Sequence, residues 1–136
     1  MKISTRTRCG ILAMIELAGH YEQGPLQLRI IAERQGISAK YLEQIMVVLR
    51  SGSLARSVRG AKGGYMLAKP PAEIRLSEIF HCLEGQVATS ACVDDPDVCD
   101  HAIDCVVRKI WADVEESVNN VLDAVTLGDM VDRMQK

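Results

Sequence analysis

Residues 28–68 restrict the fold of this 136-residue chain more than any other segment. A helix is predicted at 28–35, because apolar side chains recur there three and four positions apart. Gly36 stands where a helix commonly ends in a left-handed residue, and Ser38 is a typical cap for a second helix that extends to about Arg50. Two short helices joined by so tight a turn indicate a helix-turn-helix.

A β-hairpin is predicted directly after the second helix. Residues 54–58 and 64–68 alternate in side-chain character and flank a tip with three glycines and two cations, Arg59 and Lys62. Glycine lets a backbone approach DNA closely, and an arginine can enter a narrow minor groove. We therefore expect a DNA-binding wing rather than a plain hairpin turn. The predicted fold class is mainly α with a small β-hairpin wing.

The second helix has one apolar and one polar face. Its apolar positions, spaced three and four apart, are Leu42, Ile45, Met46 and Leu49. The opposite face is polar near the helix start, as in helices that contact base edges in a major groove. The predicted DNA-contacting residues of this helix are Ser38, Lys40, Tyr41, Glu43 and Gln44. Glu43 suits an acceptor for cytosine N4, or a residue that penalises wrong bases, better than a phosphate contact.

Charge is divided unevenly along the chain. The net charge is −2, but residues 1–69 hold 11 basic and 4 acidic side chains, whereas residues 70–136 hold 5 and 14. A basic half next to an acidic half indicates that the first half faces a polyanion. A helix predicted at 4–18 carries Arg6 and Arg8 near its start, where they are either phosphate contacts or solvated side chains.

The sequence disfavours several functional classes. It holds no Ser/His/Asp set, phosphate-binding loop or supported carboxylate pair, so we do not expect an enzyme. It holds no apolar run of membrane-spanning length and no signal peptide, so we expect a cytoplasmic protein without membrane association. An electron-transfer or cluster-carrier protein would have no use for the recognition helix and the charged tip.

A long helix is predicted at 102–125, after a helix at 76–84. Its apolar residues are spaced 4, 3, 4, 3, 4, a heptad pattern that indicates a dimer contact. The alternative is that this helix packs only against the helix-turn-helix and wing of its own chain, which we call the head. The predicted interface residues are Val107, Trp111, Val114, Val118, Val121 and Val125. A capping box at Thr126 then predicts a short terminal helix.

The chain is thus expected to divide into three parts. Residues 1–85 form a winged helix-turn-helix domain, residues 86–101 form a cysteine-bearing sensor loop, and residues 102–136 form the dimerisation helix with the short terminal helix. Loops as long as the middle segment are usually functional or disordered.

Three of the five cysteines, Cys92, Cys99 and Cys105, lie in or next to that loop and form a triad. An odd number of cysteines without an export signal favours metal binding or reactive thiols over a disulfide scaffold. Three soft ligands suit an iron–sulfur cluster or zinc, although the spacing is not that of a zinc knuckle. Three free thiols, including a disulfide switch, are the alternative. The candidates for a fourth ligand are His101 and Cys9.

Five segments of the chain are distinctive when taken together: the opening KISTRTRCGILAMIELA, the motif YLEQ, the wing SVRGAKGGY, the triad and the ending VTLGDMV. With these segments the chain resembles, over nearly its whole length, the Rrf-type bacterial regulators, which include IscR, NsrR and CymR. It implies a winged-helix homodimer that binds pseudo-palindromic double-stranded DNA. By position it implies a minor-groove contact by Arg59 and major-groove contacts by Ser38, Tyr41, Glu43 and Gln44. It also implies an iron–sulfur cluster on the triad, with 2Fe–2S favoured over 4Fe–4S.

Two positions depart from the patterns of this family. IscR-like members have a histidine ligand three residues after the third cysteine, where this chain has Arg108, which cannot be a ligand. NsrR-like members complete the site with an aspartate from the partner's first helix, where this chain has Arg8 next to Cys9. The resemblance therefore leaves the fourth ligand open. CymR-like members lack the triad and act with a partner enzyme, so the triad disfavours that branch.

The expected function is that of a dimeric transcription regulator. Its affinity for operator DNA would depend on an iron–sulfur cluster that senses redox state, iron–sulfur status or nitric oxide. The alternative is a cluster-free regulator that is switched by thiol oxidation or by a partner protein.

Overall fold

The computed structural model describes residues 2–85 and 106–134, which form six α-helices, one short 3-10 helix and one hairpin. The elements in chain order are α1 (Thr5–Gly19), α2 (Leu28–Gln35), α3 (Ala39–Ser51), β1 (Ala55–Val58), β2 (Gly64–Leu67), a 3-10 turn (Pro71–Glu73), α4 (Leu76–Glu84), α5 (Val106–Ala124) and α6 (Leu127–Met134). The prediction of a mainly helical fold with a hairpin wing is confirmed. The predicted loop at 86–101 and the start of the predicted helix at 102–125 lie outside the described residues.

The turn between α2 and α3 forms as the sequence predicts. Gly36 has a φ of 69°, in the left-handed region that glycine adopts without steric strain. Ser38 caps α3, and its Oγ accepts a hydrogen bond from the Tyr41 N–H at 3.0 Å. The turn therefore ends one helix and starts the next within three residues.

A single hydrophobic core lies beneath α3 and around α1. Helix α1 packs against α2, α3, α4, α6 and β2. The four predicted apolar positions of α3 are all buried, while Ile37 of the turn is only half-buried against the core. Burying one face of α3 under these helices leaves its other face exposed.

The hairpin is antiparallel, with Ala55 opposite Leu67 and Val58 opposite Gly64. Each strand is one residue shorter than predicted. In the first strand, the predicted alternation of side chains between two faces fails at the start, because Leu54 and Ala55 are both buried. The reason is that the Leu54 N–H donates a hydrogen bond to the carbonyl of Leu49 in α3 at 3.1 Å. The chain is therefore still bonded to the buried end of α3 where the strand begins.

Gly64 is expected to be essential for attaching the hairpin to the head. Its φ of 151° is unfavourable for other residues, and a Cβ there would collide with the carbonyl oxygen of Leu26, whose backbone pairs with Tyr65. We expect Gly64→Ala to lower the unfolding free energy by about 2–3 kcal/mol, measured by urea denaturation. Gly19→Ala is the control, because nothing lies within 4 Å of a Cβ at Gly19. Equal stabilities for the two variants would contradict this prediction.

The C-terminal part is joined to the head through a short backbone pairing. The Leu76 N–H bonds to the Val125 carbonyl and the Leu127 N–H to the Ile74 carbonyl, both at 2.8 Å. The predicted capping box at the start of α6 is confirmed, since Asp129 Oδ2 accepts from the Thr126 N–H at 3.0 Å and Thr126 Oγ1 accepts from the Asp129 N–H at 3.1 Å. These hydrogen bonds lower the pKa of the Asp129 carboxyl.

Helix α5 runs antiparallel to α4. Arg75, just before α4, bonds to the carbonyl of Asp123 near the end of α5, and His81 Nε2 lies 3.3 Å from Asn119 Oδ1. No residue of α5 is fully buried. Within residues 2–85 and 106–134, no helix is long and apolar enough to cross a membrane.

Candidate nucleic-acid interface

The exposed face of α3 carries the residues that the sequence predicts to contact DNA. Lys40, Glu43 and Gln44 are exposed. Tyr41 is half-buried and packs against the core, and the exposed Ser38 already uses its oxygen as the helix cap. Lys40, Glu43 and Gln44 thus have side chains free to reach base edges, whereas Ser38 and Tyr41 also support the helix.

The hairpin places its two cations at an exposed tip. Arg59 and Lys62 are both exposed, and the tip is closed by a hydrogen bond from the Gly63 N–H to the Gly60 carbonyl at 3.0 Å. Arg50 Nη1 of α3 donates to Ser57 Oγ of β1 at 3.3 Å, which ties the hairpin to the helix. The wing is therefore held against α3 by a side-chain bond as well as by the packing of β1.

The start of α1 lies against the opposite flank of α3. Arg6, Tyr41, Gln44, Ile45 and Val48 together line a surface depression of about 160 Å³. Arg8 lies elsewhere, in a larger cavity of about 610 Å³ beside Cys9 and the Glu16–Arg34 ion pair. The structure therefore separates two arginines that the sequence leaves equivalent, and it brings Arg6 next to the predicted recognition residues.

A carboxylate fixes the first turn of α1. Glu84, the last residue of α4, accepts hydrogen bonds from Thr7 Oγ1, from Ser4 Oγ at 2.7 Å and from the Ser4 N–H at 3.3 Å. The hydrogen bonds from Thr7 and Ser4 lower the pKa of Glu84. Thr7 is fully buried. This cluster holds the backbone on both sides of Arg6.

The predicted metal ligands are only partly within the described residues. Cys92, Cys99, Cys105 and His101 lie outside them. Cys9 is 4% exposed and belongs to the core. Among residues 2–85 and 106–134, no group of three or more His, Cys, Asp or Glu side chains could hold a metal ion.

Helix α5 exposes most of its predicted seam. Val107 and Val121 are 51% and 64% exposed, Trp111 and Val114 are also exposed, and Val118 and Val125 are half-buried. An open trough of about 490 Å³ along this face is lined by Ile110, Asp113, Val114, Ser117, Val118, Val121 and Leu122. Exposed apolar strips of this size are typical of surfaces that contact another protein.

A helix-turn-helix followed by an attached hairpin defines a winged-helix protein. The model of the Rrf2 family, described as iron-dependent transcriptional regulators, matches residues 3–133. The chain belongs to this family, whose members are transcriptional regulators and not enzymes.

Three solved structures show how closely the chain follows relatives in this family. CymR, the global cysteine regulator of B. subtilis, superposes with a TM-score of 0.84 at 37% identity, with 98% of each chain covered. IscR of T. potens gives 0.80 at 40% identity, with 98% of this chain and 88% of that chain covered. The oxidized form of CymR from Staphylococcus aureus gives 0.77 at 39% identity, with 96% of each chain covered. Overall similarity therefore does not separate the CymR-like from the IscR-like branch.

Proposed function

We propose that this protein is a homodimeric regulator that binds pseudo-palindromic operator DNA through α3 and the wing. The observation that carries the proposal is the exposed polar face of α3, which ends in a hairpin with two exposed cations and is fixed to it through Arg50 and Ser57. A helix of this kind fits a major groove, while Arg59 and Lys62 reach the flanking backbone or minor groove. The exposed seam of α5 supports pairing of two such heads.

We further propose that the cysteine triad holds an iron–sulfur cluster that sets DNA affinity. The donor set supports this proposal, because cysteine thiolates are the usual protein ligands of such clusters, and the triad supplies three of the four that a cluster commonly has. When bound, the cluster would supply a centre sensitive to oxidation or to iron and sulfide supply. Cys105 directly precedes Val106, the first residue of α5. The ligand set is therefore covalently continuous with the helix that carries the proposed dimer seam.

The alternative function is a cluster-free regulator switched at its thiols. The similarity to CymR favours it, since one of those relatives has been solved in an oxidized form. The buried Cys9 and the half-buried Cys82 are poor sensor thiols in this structure. Burial raises the pKa of Cys82, and its Sγ donates to the Val48 carbonyl at 3.5 Å. A thiol switch in this protein would therefore also depend on the cysteines of the triad, as the proposed cluster does.

Selection of DNA from a random duplex library tests the proposed function. Full-length protein purified without oxygen is expected to enrich a site with two inverted half-sites about 10 base pairs apart, or a multiple of that spacing. Footprinting should then show symmetric protection. If no symmetric site is enriched with either the reduced or the air-oxidised protein, the proposed function is wrong.

Arg59 at the wing tip is expected to contribute to DNA affinity but not to cofactor content. We expect Arg59→Ala to weaken binding of the selected duplex by about tenfold, because the minor groove concentrates negative potential around an inserted arginine. Fluorescence anisotropy measures the affinity, and absorption spectra should be unchanged. Arg133→Ala, which removes an exposed cation from α6, is the control. Equal affinities for the two variants would show that Arg59 is not part of the DNA interface.

A further inference from the structure

We propose that Arg6 of α1 holds a backbone phosphate of the DNA on the flank of α3 opposite the wing, an inference that rests on the proposed function. The juxtaposition that carries it is the depression in which Arg6 meets Tyr41, Gln44 and Val48 of α3. The sequence leaves both Arg6 and Arg8 as candidates for phosphate contact, and the packing of α1 distinguishes them.

The depression lies on a flank of the recognition helix, not beneath it. Tyr41, Gln44 and Val48 follow one another at spacings of three and four residues, so they form one stripe along the helix. Arg50 lies nine residues after Tyr41, about two and a half turns, and therefore projects from the opposite side of α3. Because Arg50 bonds to the wing through Ser57, Arg6 and the wing occupy opposite flanks of the helix.

The dimensions of DNA give this flank a phosphate to bind. A helix with its side chains is about 10–12 Å across, and a major groove is about 12 Å wide. A helix that enters the groove therefore has a phosphate backbone along each flank. The wing faces one backbone, and the Arg6 depression faces the other. The chemistry is suitable, since a guanidinium can donate two hydrogen bonds to a phosphate.

The surroundings of Arg6 leave its guanidinium available for such a contact. None of the ion pairs formed within residues 2–85 and 106–134 involves Arg6. Glu84 is the nearby carboxylate and interacts electrostatically with Arg6, but its hydrogen bonds are to Ser4, two residues before Arg6, and to Thr7, the residue after it. Those bonds fix the first turn of α1, so the side chain starts from an ordered backbone.

Salt-dependent binding of three variants tests this proposal. The probes are two labelled duplexes: the selected site, and a shuffled duplex of the same base composition. We expect Arg6→Gln to weaken binding of both by about five- to tenfold at about 0.1 M KCl. The slope of log affinity against log salt concentration should fall by about 0.9 for each lost phosphate contact, or about 1.8 for a dimer. Arg6→Lys should keep the slope, because the charge remains.

Arg8→Gln is the matched control, since it removes the same charge from the same turn of α1 but from the large cavity. The proposal is overturned if Arg6→Gln matches the wild type, or if it weakens only the selected duplex with an unchanged slope. It is equally overturned if Arg8→Gln lowers the slope as much, or if Arg6→Lys loses the slope. None of these outcomes affects the proposed function, because in each of them the wild-type protein still binds the selected duplex. If instead the wild-type protein binds neither duplex, both the proposed function and the phosphate contact of Arg6 are wrong.

Discussion

Protein purified without oxygen and carrying Cys99→Ser is expected to be colourless and to contain less than about a tenth of the wild-type iron and sulfide. The reason is that a serine hydroxyl is far less acidic than a thiol and its oxygen is a harder donor than a thiolate sulfur, so a three-cysteine set loses the cluster when its middle member is replaced. The same variant is expected to stay a folded dimer, because the core beneath α3 and the seam of α5 contain none of the triad cysteines. Absorption spectra, iron and sulfide assays, and sedimentation measure the three properties.

The chain offers a matched control for this substitution. Cys82→Ser makes the same chemical change at a half-buried position, and the serine hydroxyl can still donate to the Val48 carbonyl that Cys82 contacts. It should retain the chromophore. If Cys99→Ser keeps its iron and sulfide, the triad is not the ligand set. If the wild type is itself colourless after reconstitution and binds DNA only when its thiols are reduced, the thiol-switched alternative replaces the cluster.

Local signals in the sequence were sufficient for the elements around the recognition helix. The bounds of α2, the cap at Ser38 and the left-handed Gly36 were predicted because each depends on residues within a few positions of one another. The start of α6 was predictable for the same reason, since Thr126 and Asp129 satisfy each other's backbone. A capping motif carries its own partners, so no knowledge of the tertiary fold is required.

Features that depend on contacts distant in sequence were missed. The pairing of residues 74–76 with 125–127 joins segments about fifty positions apart, and no local motif announces it. The 3-10 turn at Pro71–Glu73, just before it, was also not predicted. At the site, the polar face of α3 follows from helical periodicity alone. The residues around Arg6 could not be predicted in this way, because they depend on how α1 packs across α3.

Placing a charge on the α5 seam with Val121→Asp is expected to convert the proposed dimer into monomers. Val121 is 64% exposed in the single chain and lines the apolar trough, so in the proposed dimer it would be covered. An unpaired carboxylate in such an interface is destabilising by about 3–5 kcal/mol, which corresponds to a dissociation constant raised by about 10²- to 10⁴-fold. Sedimentation at several protein concentrations measures this shift. Asn120→Asp adds the same charge at an exposed neighbour that does not line the trough.

Loss of the dimer should reduce operator affinity by a further, separable mechanism. In a dimer, binding of one head brings the second half-site to a high effective concentration, and a monomer loses that advantage, typically about 10²- to 10⁴-fold. Val121→Asp should therefore bind the full selected site weakly while binding a duplex with one half-site as tightly as a wild-type head does. Weakened half-site binding would show that the substitution damages the winged-helix head instead. A Val121→Asp protein that remains dimeric would place the interface elsewhere, and the exposed seam of α5 would then need a different partner.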